Sequence, residues 1–261
     1  MPSDVQADPS GRPPPADNRL QAFGEGLPAR IDCAGESFAF VRQFKHDFFA
    51  ATGLYRSAAG QQVVLKLQRR RSFFGLPMRW LGARLTRHEA RIYRELADVP
   101  GVPALVGLFG PTGFVHEFVP GAPLRRDTPV SDTFFDELAE LLRRVHALGL
   151  AYVDLNKRQN ILVGEDGRPR LIDFQIAFRL GRRRSRTSRA ILRMLQEHDW
   201  YHFAKHKRRC RPDLMTADQI AASYEPTGWI ALHRRISKPY FVVRRWVLAR
   251  MGLPTGDAAE G

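Results

Sequence analysis

Apolar positions change their period several times along this chain. Between residues 37 and 66 two runs, Phe38-Ala39-Phe40-Val41 and Val63-Val64-Leu65, have the density expected of strands, and Arg56-Ser57-Ala58-Ala59-Gly60 between them reads as a hairpin turn. A helical spacing follows at Leu85, Glu89, Ile92, Tyr93 and Leu96, with Pro100-Gly101 as its stop. Residues 105–118 read as two short strands broken at Gly110-Pro111-Thr112-Gly113. A second helix is predicted from Ser131 or Asp132, with the stripe Phe134, Phe135, Leu138, Leu141, Leu142, Val145 and Leu148 and an end at Gly149. Ile161-Leu162-Val163 and Arg170-Leu171-Ile172 flank the turn Gly164-Glu165-Asp166-Gly167 as another strand pair. The remainder is helical and basic, and no internal repeat is present. Strands mixed with one helix, then helices around a short hairpin, predict an α+β protein of two lobes.

The lobes are expected over residues 28–119 and 120–252. A Pro/Asp/Ser-rich leader (residues 1–27) precedes them and a short tail (residues 253–261) follows. With 261 residues, 44% of them hydrophobic and 26% charged, the chain can bury a sizeable core, which excludes wholesale disorder. No apolar run reaches the roughly 18 residues of a membrane-spanning helix, and the first residues lack the basic start and apolar stretch of a secretory signal. The expected location is cytoplasmic, with access to the inner membrane face. Two cysteines, Cys33 and Cys210, have no metal-ligand spacing around them and read as unpaired thiols.

Chemistry concentrates in residues 151–174. Asp154 lies on a loop after the long helix, Asn160 follows six residues later, and a short hairpin leads to Asp173 in Ile172-Asp173-Phe174. Upstream, Lys66 closes an apolar strand and Glu89 stands on the next helix. Glu95 competes for the same role but falls on a different face. Phosphoryl transfer needs this inventory: a carboxylate for the acceptor's proton, oxygen ligands for Mg²⁺, and a lysine, steadied by a glutamate, for the phosphates. His116 and His146 read as structural.

These segments resemble the protein-kinase superfamily in its small atypical bacterial branches, the lipopolysaccharide-core sugar kinases and RIO-like kinases, over residues 38–178. Val64-Leu65-Lys66 looks like the strand that bears the phosphate-binding lysine, and Glu89 to Leu96 like the helix whose glutamate pairs with it. The segment Phe114-Val115-His116-Glu117-Phe118-Val119-Pro120-Gly121 resembles the hinge against which adenine stacks, implying backbone contacts at Glu117 and Val119. His146-Ala147-Leu148-Gly149 matches the run into the catalytic loop. The resemblance implies a kinase-like fold with a β-rich N-lobe and a shortened helical C-lobe, with Mg-ATP bound between the lobes. Asp154 would be the base, Asn160 and Asp173 the metal ligands, and Lys66 with Glu89 the phosphate clamp.

The departures are equally specific. Phe44 to Thr52 stands where a Gly-rich phosphate loop is expected, so Lys45 or His46 would have to supply a side-chain contact there, with Ala50 on the following segment beside the nucleotide. The catalytic loop is one residue longer than usual between Asp154 and Asn160. Gln175 replaces the glycine after Asp-Phe, and Val153 replaces the arginine before the catalytic aspartate, which argues against control by a phosphorylated activation loop. The sequence after Gln175 is short for a peptide-docking lobe, which favours a glycan, lipid or small-molecule acceptor over a protein.

Charge narrows the acceptor further. Lys and Arg number 41 against 27 Asp and Glu, a formal net charge of +14, which suits an anionic acceptor and argues against the cationic substrates of aminoglycoside and choline kinases. Basic stretches at residues 66–94, 179–211 and 234–250 mix cations with aromatics such as Phe73, Phe74, Trp80, Tyr240 and Trp246. They suit the surface of an anionic bilayer; nucleic acid ranks below it because no reading motif or stacking platform is present. The expected activity is ATP- and Mg²⁺-dependent transfer to a hydroxyl of an anionic acceptor, such as a lipid-linked glycan. The rivals are a pseudokinase scaffold and a RIO-like protein kinase.

Overall fold

The computed structural model describes residues 26–46, 50–68, 79–181 and 185–225. Nearly all of the leader, residues 47–49, the His46 side chain, Phe73 and Phe74, the basic stretch at 234–250 and the tail lie outside the described residues. The described chain falls into two compact units, one drawn from residues 1–97 and 103–119, the other from residues 98–102 and 120–261.

The first unit is a six-stranded antiparallel sheet with one helix. Its strands are β1 (Arg30–Cys33), β2 (Glu36–His46), β3 (Ala50–Ser57), β4 (Gln62–Gln68), β5 (Leu105–Phe109) and β6 (Gly113–Glu117), in the order β1-β2-β3-β4-β6-β5. Side chains alternate between faces along each strand. Val63, Leu65 and Leu67 therefore join Ile31, Phe38, Tyr55 and Val115 in one core, while Val64, Lys66 and Gln68 face the other way. The helix α1 (Arg79–Glu95) packs on β4, β5 and β6 with Ala90, Ile92 and Tyr93 buried. The sheet curls until β5 meets β1: a Cβ on Gly107 would lie 2.8 Å from the Cys33 sulfur.

Three strands, not two, occupy residues 36–68. The sequence Ala50-Ala51-Thr52-Gly53-Leu54-Tyr55-Arg56-Ser57 hides its strand because six of its eight residues are buried, so no polar–apolar alternation marks it. Burial on both faces erases the period-two signal that identifies half-exposed strands.

The second unit carries α2 (Phe134–Ala147), the two-stranded ladder of β8 (Leu150–Ala151) with β11 (Phe178–Arg179), and the three-stranded sheet β10-β9-β7. There β9 (Ile161–Gly164) lies between β10 (Pro169–Leu171) and β7 (Gly121–Pro123). A side chain at Gly121 would run into the Val163 carbonyl, which explains the glycine where β7 crosses β9. Two further helices follow, α3 (Arg186–Cys210) and α4 (Ala217–Ala222). The stripe predicted for α2 is buried from Phe134 through Val145. The helix begins later than Ser131 because Phe134 N–H bonds the Ser131 carbonyl in a preceding turn.

Candidate functional site

In the first unit, β4 delivers Lys66 to α1. Its Nζ donates to Glu89 Oε1 at 2.8 Å; the lysine is 7% exposed and the glutamate fully buried. Glu95 instead pairs with Arg91 at the surface. Gln68, one step along the same face of β4, donates through Nε2 to Glu89 Oε2 at 3.5 Å, so the carboxylate is held by two neighbouring side chains of one strand. The Oε1 of Gln68 is buried with no hydrogen-bond partner among the described residues. Gln68 is legible in the sequence only as the position two residues from Lys66, and was missed.

Strand register extends this arrangement. Lys45 pairs with Thr52, and Thr52 with Lys66, so the two lysines stand on one face of the sheet two strands apart. At the inter-strand spacing of a sheet this separation is roughly 10 Å. Strand β2 is irregular here: the register slips between Phe40 and Arg42 and again between Gln43 and Lys45. Bulges of this kind re-aim side chains beside functional sites. Phe44 stacks on Phe118 with ring centroids 6.1 Å apart, and the Arg42 guanidinium lies 4.9 Å from the Phe44 centroid. Ala50 opens β3 and is buried opposite Gln68. Glu117 ends β6 with its N–H on the Ala104 carbonyl, and Val119 is half-buried.

In the second unit the loop after β8 carries Asp154, 5% exposed. Its Oδ2 accepts from Lys157 Nζ at 2.8 Å and from Asn160 Nδ2 at 3.0 Å. Burial pushes the Asp154 carboxyl above the usual aspartate range; the Lys157 ammonium and the Asn160 amide oppose this, and the Asp173 charge adds to it. Asp173 is tied to the same loop: Ile172 N–H bonds the Asn160 carbonyl at 3.1 Å, and the Tyr152 hydroxyl donates to the Ile172 carbonyl. Phe174 is buried edge-on against Tyr152.

Two backbone positions here are strained. Val153 has φ 69° and Asp173 has φ 64°, a region that non-glycine residues enter rarely and a β-branched one least of all. What holds Val153 is Asp199, fully buried on α3. Its Oδ1 accepts from Val153 N–H at 2.7 Å, and its Oδ2 from Tyr152 N–H at 2.7 Å and His146 Nε2 at 2.9 Å. Lys157 and Asp199 were both missed in the sequence, where they stand among many cations and give no periodic signal.

Asn160 and Asp173 offer oxygen donors, the kind a hard divalent cation takes. With its Nδ2 engaged on Asp154, Asn160 has Oδ1 as its remaining donor atom, so the pair fits Mg²⁺. A cavity of roughly 450 Å³ lies instead beside α3 and α4, lined by Trp200, Phe203, Met215 and Ala222 among others, and contains none of these residues.

Comparison with protein-family models and with curated proteins gives no match. Among solved structures, the Rio2 kinase from Chaetomium thermophilum, in its ADP/Mg²⁺-phosphoaspartate complex, is similar to this chain with a TM-score of 0.52 and 18% identity. The match covers 74% of this chain and 60% of that one. A second structure of the same kinase gives a TM-score of 0.46 at 18% identity, over 62% and 54% of the two chains. The fold is protein-kinase-like. This chain therefore spans about 60% of the length of the kinase chain it matches.

Proposed function

We propose that this protein is an ATP- and Mg²⁺-dependent phosphotransferase acting on a hydroxyl group of an anionic acceptor. The observation that carries the reading is the buried Lys66–Glu89 pair on a kinase-like sheet. A buried ion pair contributes little over well-packed apolar residues, so its presence calls for a reason other than stability. Binding a polyphosphate supplies one. Lys66 would contact the phosphates while Glu89 and Gln68 fix its position, and Lys45 on the same face would add the second cation that a glycine-free phosphate loop requires. Backbone groups at Glu117 and Val119 would take the adenine, with Ala50 against it.

Asn160 and Asp173 would hold Mg²⁺, which when bound offsets negative charge on the transferring group. Asp154 accepts the proton of the acceptor hydroxyl as its oxygen bonds to the γ-phosphorus. The bond from that phosphorus to the β–γ bridging oxygen breaks, and ADP leaves. Lys157, hydrogen-bonded to Asp154, would steady that carboxylate for the transfer. The net charge of +14 favours an acceptor that is itself anionic, and a lipid-linked glycan at a membrane surface fits the basic stretches.

Thermal unfolding with and without Mg²⁺ and ATP tests this. Ligand at 100 times its dissociation constant stabilises the native state by about 2.7 kcal/mol, a shift of roughly 5–10 degrees for a chain of this size. Wild type should show a Mg²⁺-dependent shift that Lys66→Ala and Asp173→Ala lose. A folded wild type with no shift at millimolar ATP would overturn the reading and leave a scaffold.

A further inference from the structure

Side chains of the second unit converge beside the loop of Asp154. The ring Nε2 of His206 donates to the Leu155 carbonyl at 2.6 Å, fastening that loop to α3. One turn further along α3, the Cys210 thiol donates to the Arg125 carbonyl at 3.4 Å, fastening the segment before α2 to the same helix end. These two bonds gather Arg158, four residues after Asp154, with Arg126, next to Arg125, and Arg209, next to Cys210. The three guanidinium groups act electrostatically on the one Cys210 sulfur, with Asp127 the acid among its nearby charges.

Several arginines elsewhere are matched by acids. Arg211 is matched by Asp132 and Asp213, Arg170 by Asp166, and Arg143 and Arg144 by Glu140. Among the described residues, the side chains of Arg126, Arg158 and Arg209 make no hydrogen bond or ion pair. Three cations facing the one acid Asp127 leave a net positive charge here, and an anion relieves the remaining repulsion. Guanidinium groups match a tetrahedral oxyanion because their paired N–H donors can bind it bidentately.

We propose that Arg126, Arg158 and Arg209 form the subsite for a phosphate group already carried by the acceptor, which sets the acceptor's hydroxyl beside Asp154. The subsite deepens the phosphotransferase reading and rests on it for the word acceptor; the anion site itself stands on the three arginines. The shared ligand chemistry is a phosphomonoester, whether on a soluble sugar or on a lipid headgroup.

Cys210 is the reporter, being half-exposed where Cys33 is buried. The alkylation rate of Cys210 in the full chain would be followed by peptide mass spectrometry with MgADP present. Inorganic phosphate, a soluble sugar phosphate, and phosphatidylcholine vesicles with and without phosphatidic acid would each be compared with sodium chloride at equal ionic strength. Inorganic phosphate is expected to slow alkylation several-fold. The triple variant Arg126→Gln/Arg158→Gln/Arg209→Gln should lose that protection, and Arg158→Gln alone, a single exchange at the surface of the fold, should lose part of it. Given protection by inorganic phosphate, added protection by the sugar phosphate assigns a soluble acceptor; added protection by phosphatidic acid vesicles and none by the sugar phosphate assigns a headgroup. Equal rates in phosphate and chloride, or protection that survives in the variants, overturn the subsite. The MgATP thermal shift is read separately: if it is absent while phosphate still protects Cys210, the kinase reading fails and the anion site stands.

Discussion

The proton acceptance proposed for Asp154 would depend on how its carboxylate is balanced between burial and its neighbours. Burial raises its pKa, Lys157 and Asn160 pull it back, and Asp173 raises it again. Since the folded value lies above that of a free aspartate, the basic form is lost as pH falls through that raised value, and the acid limb of kcat/KM should lie above the ordinary aspartate range. Replacing Lys157 with Met removes the largest opposing charge and should move that limb to still higher pH. A pH profile of kcat/KM, or carboxyl carbon NMR of Asp154 where turnover is slow, reads the shift; an unmoved limb would reduce Lys157 to a loop contact. Asp154, Asp173 and Lys66 stand out in the sequence because each interrupts or closes an apolar run, where a charge is out of place, and Glu89 because it falls on the helical spacing of Leu85, Ile92, Tyr93 and Leu96. Lys157 sits among polar residues in a very basic chain, so only the fold distinguishes it.

At the scale of elements, α3 holds the loop that carries Asp154. Three of its side chains reach the same stretch of backbone: Gln196 donates to the His146 and Leu150 carbonyls, Asp199 accepts from Tyr152 and Val153, and His206 bonds the Leu155 carbonyl. Buried backbone N–H groups left without acceptors are costly, and Asp199 also keeps Val153 in its strained conformation. Asp199→Ala should therefore destabilise the protein by about 1–3 kcal/mol for each N–H it leaves without an acceptor, read as a lower urea midpoint. Asp199→Asn, which retains one acceptor oxygen, should cost less. Equal midpoints for wild type and Asp199→Ala would mean that water or other groups replace the carboxylate. Elements with one apolar face, such as α2 and the β9–β10 pair, are legible from periodicity alone. The role of α3 is not, because its working face toward the loop is polar: Gln196, Asp199 and His206 give no hydrophobic period, and the arginines around them dominate the composition. Strand β3 is hidden for the opposite reason, its burial on nearly every position.

For the molecule as a whole, charge and buried histidine set the response to acid. His202 is pushed down to about 3, by burial first and then by the nearby His198 and cations; His206 is pushed down to about 4 by burial first, with its bond to the Leu155 carbonyl opposing and Lys205, Arg209 and Arg158 adding to the fall. The geometry agrees for His206: its Nε2–H donates to Leu155, and its Nδ1 is buried with no hydrogen-bond partner among the described residues, so a second ring proton would have no acceptor there. Both native values lie below the value of about 6.5 in the unfolded chain. Their contribution to stability is thus complete above that value and is lost as pH falls toward the native ones, because only the unfolded chain takes up the protons. Over that interval each histidine adds a slope of about 1.4 kcal/mol per pH unit. Protonating carboxylates in a chain of net charge +14 adds self-repulsion in the same direction. Unfolding free energy measured by urea titration should therefore fall steeply from about pH 7 to about pH 5. In His206→Gln, whose amide can still donate to Leu155, the slope should be shallower by roughly one proton. An unchanged slope in that variant would show that His206 titrates as it does in the unfolded chain, and acid loss would then belong to the carboxylates and the net charge.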